Sequence, residues 1–211
     1  MTMQIETSHV GSLPRSKKVV DFIFAKEKEQ AYDEIAFDET MKEAVELTVK
    51  KQKDAGITIA SDGETSKISY ATYVKDRFHG FGGDSPRNAP ADLKLFPTYL
   101  EKLANDGGTP KYARPMCIDK LVSKNSNDLD KDISNLSLSI KNNSIKKGFM
   151  NSASPGVISL FLQNQYYPNR ESYLEALSFL MKDEYEKIVH AGLDLQIDCP
   201  DLALSRHMLF S

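Results

Sequence analysis

"HAGLDLQIDCPDLA", His190–Ala203, repeats the grammar of an earlier stretch, "DAGITIASDGETSK", Asp54–Lys67. In both, a charged helical segment ends at Ala-Gly, a short alternating apolar run follows, and the run stops at an aspartate. Glycine suits the position that closes a helix, and alternation with a period of two marks a strand. Ile57 and Ile59 fall on one face of the first run, with Thr58, Ala60 and Asp62 on the other. Leu193, Leu195 and Ile197 likewise oppose Asp194, Gln196 and Asp198. Helix feeding strand, twice, predicts parallel strands joined by βαβ crossovers. In a parallel barrel the apolar strand face packs on outer helices, while the other turns inward and becomes polar near the C-terminal strand ends, where active sites lie. Asp62 and Asp198 are therefore expected to rise into one mouth.

"IETSHV" at 5–10, "ARPMCI" at 113–118 and "GFMNSA" at 148–153 also read as strands, which makes five. Helices are expected over 16–30, capped by Ser16, over 39–55, closed by Gly56, and over 170–191, capped by Asn169 and closed by Gly192. The 123–143 segment is polar with a weak helical stripe of Leu129, Ile133, Leu136 and Ile140. Residues 79–111, rich in Gly, Pro and Asn, read as a long insertion loop holding one short helix. A closed eight-stranded barrel typically takes ~250 residues. The 211 residues are therefore expected to form a single α/β domain over 1–211. That domain would be the N-terminal five or so βα units of a TIM (β/α)8-type barrel, truncated at the C-terminus.

Composition narrows the function classes. A net charge of -3 gives no electrostatic case for nucleic acid or an anionic membrane. No apolar run reaches the length of a bilayer span, and "MTMQIETSHV" lacks the basic start and apolar core of a signal peptide. Two cysteines, Cys117 and Cys199, are too few for a disulfide framework. The expected location is the cytoplasm.

Four stretches carry candidate chemistry. In "SHVGSLPRS", 8–16, a Gly-Ser turn after a strand offers backbone N–H groups and a hydroxyl to an anion such as a carboxylate. The same letters also spell a plain strand-to-helix turn with Arg15 solvated, the more economical reading from spacing alone. In "SDGE", Asp62 and Glu64 flank a glycine and suit an ammonium group or acid–base work, yet Asp-Gly is a common turn dipeptide. "IDCPDL" places Asp198 at a strand end with Asp201 after the turn. Cys199 beside it has no His or Cys at ligand spacing, so packing is the simpler account. "SASPGVIS" closes a strand and starts a helix, lining a pocket or only turning the chain. Of His9, His79, His190 and His207, none forms an HxH or HxxxH pair. His190, at a helix end, is read as structural, and His9 alone is expected in the mouth.

Taken together and in order, "SHVGSLPRS", "SDGE", "SASPG" and "QIDCPDLA" resemble the cobalamin-independent methionine synthase family, and its short single-barrel members most closely. The resemblance runs over essentially the whole chain. It implies a TIM barrel related to uroporphyrinogen decarboxylase. The implied activity is a methyltransferase that moves a methyl group from a folate or related donor to a zinc-activated thiol such as homocysteine. Carried over position by position, Val10, Gly11 and Ser12 match the turn that binds the amino-acid carboxylate. Glu64 matches the glutamate that holds the substrate amine, and Asp198 matches an aspartate that does the same. His9 is a departure shared with the short members and with the similar alkyl transferases that use coenzyme M, which leaves the acceptor thiol open. The family's zinc ligands have no matching position in this sequence. Zinc is therefore expected in the full-length protein, with this chain alone inactive or a non-catalytic amino-acid-binding barrel fragment. The expected partners are small molecules, a homocysteine-like thiol and a methyl donor, in an oligomeric state the sequence leaves open.

Overall fold

The structure is a computed structural model and describes residues 5–85, 93–106 and 113–204. Helix α1 (Lys17–Glu27) starts where Ser16 accepts a hydrogen bond from the Val19 N–H at 3.3 Å. Helix α2 (Glu34–Asp54) begins five residues before the expected 39, because the Asp33 carboxylate caps the Ile35 and Ala36 N–H groups at 3.0 Å. It ends at Gly56, whose φ of 82° only glycine adopts without strain. Strand β1 (Ile59–Ala60) follows, then a 3-10 turn (Thr72–Asp76) and β2 (Phe78–Gly82). After α3 (Pro97–Asp106) come β3 (Met116–Ser123), α4 (Asp128–Asn142) and β4 (Lys147–Ala153). The chain continues through α5 (Pro155–Phe161), α6 (Arg170–His190), β5 (Asp194–Asp198) and α7 (Asp201–Leu204).

The central sheet has the order β1-β4-β5 and is parallel throughout. Both Ala-Gly strands therefore run the same way, one on each side of β4, with their terminal aspartates at the same end. The 5–10 segment joins by a single parallel bridge, Ser8 to Ile59. The Thr7 carbonyl takes the Thr58 and Ile59 N–H groups at 3.1 and 3.0 Å.

Three expectations need correction. The 113–118 strand exists, extended to Ser123, but it is absent from the parallel sheet. It is β3, paired antiparallel with β2 from Phe78↔Ser123 to Gly82↔Met116. Consequently 79–111 is no simple loop: it opens inside β2, which with β3 forms an arm, while 86–92 and 107–112 lie outside the described residues, as does His207. The cause is legible in packing. Phe78, Cys117 and Leu121 bury into a cluster with Tyr73, Val74 and Leu162, and Cys117 exchanges backbone hydrogen bonds with the Gln163–Gln165 loop at 2.8 Å. The opposite face of β3 leaves Ile118 and Val122 exposed. Alternation identified the strand, but alternation does not say which sheet a strand joins. Thirdly, Ala60 does not share a face with Asp62. It packs with Val45 and Val49 of α2, since the ladder lasts only two residues and the chain then turns.

Helices α2, α4 and α6 cover one face of the sheet. Val45, Val49, Leu136, Met150 and Ile188 meet there, all buried. A smaller cluster of Val19, Ile23 and Met41 ties α1 to α2. No helix among the described residues is long and apolar enough to cross a membrane. This leaves the polar sheet face, above the C-terminal strand ends, as the place to look for chemistry.

Candidate functional site

The Asp62–Glu64 turn is built under constraint. Gly63 and Glu64 both adopt left-handed backbones, with φ of 63° and 56°, a conformation that is rare for a glutamate. Several contacts hold it. The Asp62 carboxylate accepts the Glu64 N–H at 3.0 Å, and the Thr65 hydroxyl donates to the Asp62 carbonyl at 2.7 Å. Gln52 of α2 clasps the strand end from behind, donating to the Ser61 carbonyl at 2.8 Å and accepting the Ser61 N–H at 3.1 Å. Arg15 is not simply solvated. Its guanidinium donates to the main-chain carbonyls of Glu64 at 2.6 Å and Lys67 at 2.8 Å. Burial lowers that guanidinium from its ordinary value, against the raising influence of Glu64 and Asp62, and it stays charged at any ordinary pH.

Glu64 is thereby aimed at two partners. Ser12 Oγ donates to Glu64 Oε2. Asn151 of β4 donates through Nδ2 to Glu64 Oε1 at 2.6 Å and to Asp198 Oδ2 at 2.9 Å. Gln196 fixes the other Asp198 oxygen, donating to Oδ1 at 2.8 Å. Ser12, Glu64 and Asp198 thus lie in one hydrogen-bonded chain, and the sheet order explains it: Asn151 sits on the middle strand and reaches a carboxylate on either side. Glu64 is buried and Asp198 half-buried. Among the described residues neither forms a salt bridge.

The other candidate positions are arranged differently. Gly11 has a φ of 92°, and among the described residues no hydrogen-bond partner takes the Gly11 or Ser12 N–H. Val10 is exposed. His9 is exposed and borders an outer groove of about 680 Å³ between the first loop, α1 and α2, with Leu13 and Arg15. Asp62 faces its own turn rather than Asp198.

Below the site runs a buried polar network. Lys67 Nζ donates to the Asn151 main-chain carbonyl and lies 4.6 Å from the Tyr73 ring centre. Tyr73 and Ser152 both donate to Glu184 Oε1, Ser152 at 2.7 Å. Arg77 bonds Glu184 and, at 3.0 Å, Asp132. Burial raises the Asp132 carboxyl to about 6, opposed by Arg77 and assisted by Asp62. Burial also works on Glu184, but Arg77 and Lys67 overcome it and hold that carboxyl below its ordinary value.

Sequence reading missed Asn151, Lys67 and the Arg77 network. Asn151 left one signal: asparagine is depleted in strands, and here it interrupts an otherwise apolar and small run. Metal is a separate matter. Among the described residues no group of three His, Cys, Asp or Glu side chains could hold an ion. Burial pushes the Cys117 thiol up to about 11, which disfavours the thiolate that zinc needs. The described residues do not fit a zinc site.

A scan against protein-family models found no match. Over 197 residues the chain is 22% identical to the methionine synthases of Sulfurisphaera tokodaii and of Sulfolobus acidocaldarius. Each alignment covers 93% of this chain and 52% of the relative. The chain therefore spans about half the length of the curated relatives it matches. A solved B12-independent methionine synthase from Shewanella sp. W3-18-1, in complex with selenomethionine, shares its fold with a TM-score of 0.64 at 17% identity, over 92% of this chain and 51% of that one. Sequence and fold comparison both support the family that the four motifs resemble, the cobalamin-independent methionine synthases.

Proposed function

We propose that this chain forms the amino-acid-holding part of a methyltransferase of the cobalamin-independent methionine synthase type. The amine of a homocysteine-like thiol substrate sits against Glu64 and Asp198, and its carboxylate meets the Val10–Ser12 turn. One observation carries this reading. Two carboxylates, one from the turn after β1 and one from the end of β5, converge on a single neutral amide, and among the described residues neither forms a salt bridge. Arg15 reaches Glu64 only through space, and a ligand ammonium would give both carboxylates direct charge-assisted hydrogen bonds. The open Gly11 and Ser12 N–H groups are the matching feature for an anionic end.

The methyl donor, a folate or related carrier, and zinc activation of the thiol belong to the activity of the complete protein. The residues described here bind and orient the amino acid. A thiol acceptor without an amine, of the coenzyme M kind, would leave both carboxylates without a cation, so the geometry favours an amino acid.

Calorimetric titration tests this. The protein carrying this chain is titrated with L-methionine, L-homocysteine, and the methionine analogue with hydrogen in place of the amino group. The amino acids should bind at least ~10-fold more tightly than the analogue, the worth of one charge-assisted contact. Equal binding of the analogue would remove the ammonium reading. Binding without methyl transfer in the complete protein would leave a non-catalytic amino-acid-binding barrel.

A further inference from the structure

We propose that Asn151 is a positioning residue for amine recognition: its amide sets the spacing of Glu64 and Asp198 while leaving their negative charge free for the ligand. The inference rests on the reading of the pair as an ammonium site.

The stoichiometry of the contact is the first argument. A side-chain amide nitrogen carries two N–H donors. Both are used, one on Glu64 at 2.6 Å and one on Asp198 at 2.9 Å. The carboxylates come from the turn after β1 and from the end of β5, on either side of β4, so a residue of the middle strand reaches both. Location is the second argument. Asn151 is buried, and Lys67 Nζ holds its main-chain carbonyl. The Lys67 ammonium in turn lies over the Tyr73 ring. The amide is thus fixed from the backbone side and aimed from the strand side.

Charge is the third argument. Of the charged groups nearest the pair, Asp62 accepts the Glu64 N–H within its own turn, and Arg15 acts on Glu64 through space. Lys67 and Arg15 bind main-chain carbonyls, of Asn151 and of Glu64 and Lys67 respectively. A lysine or arginine at 151 would neutralise the pair and close the site to an ammonium. An apolar residue would leave two like charges facing each other across the gap. Such a pair resists double ionisation. The neutral amide avoids both outcomes.

The test uses L-methionine titrated calorimetrically against wild-type protein, Asn151→Ala and Asn151→Thr between pH 3 and 8. Thr keeps one hydroxyl donor and serves if Ala fails to fold. In Asn151→Ala, affinity at neutral pH should fall ~10-fold or more. The pH at which binding is half lost on the acid side should move up by about one unit, as a like-charge pair loses its shared donor. Asn151→Thr should fall between Ala and wild type on both measures. A purely structural role would weaken binding without moving the acid limb. An unmoved acid limb in both variants overturns the inference and leaves the ammonium reading standing. Wild-type protein that binds L-methionine no better than its deaminated analogue overturns both.

Discussion

Glu64 is aimed at Ser12 and Asn151 by a strained turn held from outside it. Its left-handed backbone follows Gly63, where a Cβ would stand 2.9 Å from Leu13 Cβ and 3.0 Å from Thr48 Cγ2. Neither neighbour is the loose end of a long side chain, so the turn has no room to relax. Gly63→Ala is expected to cost ~2 kcal/mol or more in urea unfolding, and to weaken L-methionine binding because Glu64 is displaced. Unchanged stability would show that the turn is softer than its contacts suggest. Asp198 is the complementary case, held by Asn151 and Gln196 rather than by backbone strain. Asp198→Asn keeps the shape and removes the charge. L-methionine affinity should fall ~10-fold or more, since charged hydrogen bonds are roughly twice as strong as neutral ones, with little change in thermal stability.

Among elements, the Arg77 network decides how the 3-10 turn after β1 is locked against α4 and α6. Arg77 and Glu184 are both buried, and each would be left without its main partner if the other were removed. Glu184→Leu should therefore destabilise by ~3–5 kcal/mol in denaturant unfolding, the cost of an uncompensated buried charge. Asp132 behaves in the opposite sense to an ordinary paired carboxylate. Burial raises its folded carboxyl to about 6 from an ordinary 3.8, so the folded state binds the proton more tightly than the unfolded chain. Its contribution to stability is fully present below the unfolded value and is lost as pH rises through about 6. Glu184, held low by Arg77 and Lys67, contributes stability at neutral pH that is lost on acidification. The two can be separated by mutation. Between pH 4 and 7, the stability of wild type relative to Asp132→Asn should decline by about 3 kcal/mol as pH rises. Urea titrations at each pH measure it, and a flat difference would contradict the burial effect.

At the scale of the molecule, the parallel sheet among the described residues comprises β1, β4 and β5 with one bridge to the first segment. The outer edge of β5 is unpaired within that set, and Ile197 is 43% exposed. A zinc site needs three ligands gathered around one position. No such group is present among the described residues, and Cys117 is committed to the apolar cluster under the β2–β3 arm. Purified residues 1–211 are expected to carry no stoichiometric zinc by elemental analysis. Tightly held zinc lost on replacing Cys117 or Cys199 would contradict this.

Local chemistry determined the helices and the direction of the sheet. Ser16, Asn169 and the two Ala-Gly closures act within a few residues of themselves, so their signals survive in one dimension. The two strand–aspartate runs fixed their own outcome for the same reason. Each supplied a helix stop and a terminal carboxylate, and parallel pairing through β4 then put both strand ends on one side. Only the tertiary structure decided the rest. Strand β3 has the alternation of a sheet strand, but partner choice depends on which apolar surfaces lie nearby, and the cluster around Tyr73 and Leu162 drew it to β2. Asn151 reads as an odd polar letter in a strand until β1 and β5 flank it, 87 residues from Glu64 and 47 from Asp198. Contacts at such separations leave no periodic trace along the chain, because they are set by packing between elements and not by the conformational preference of any one.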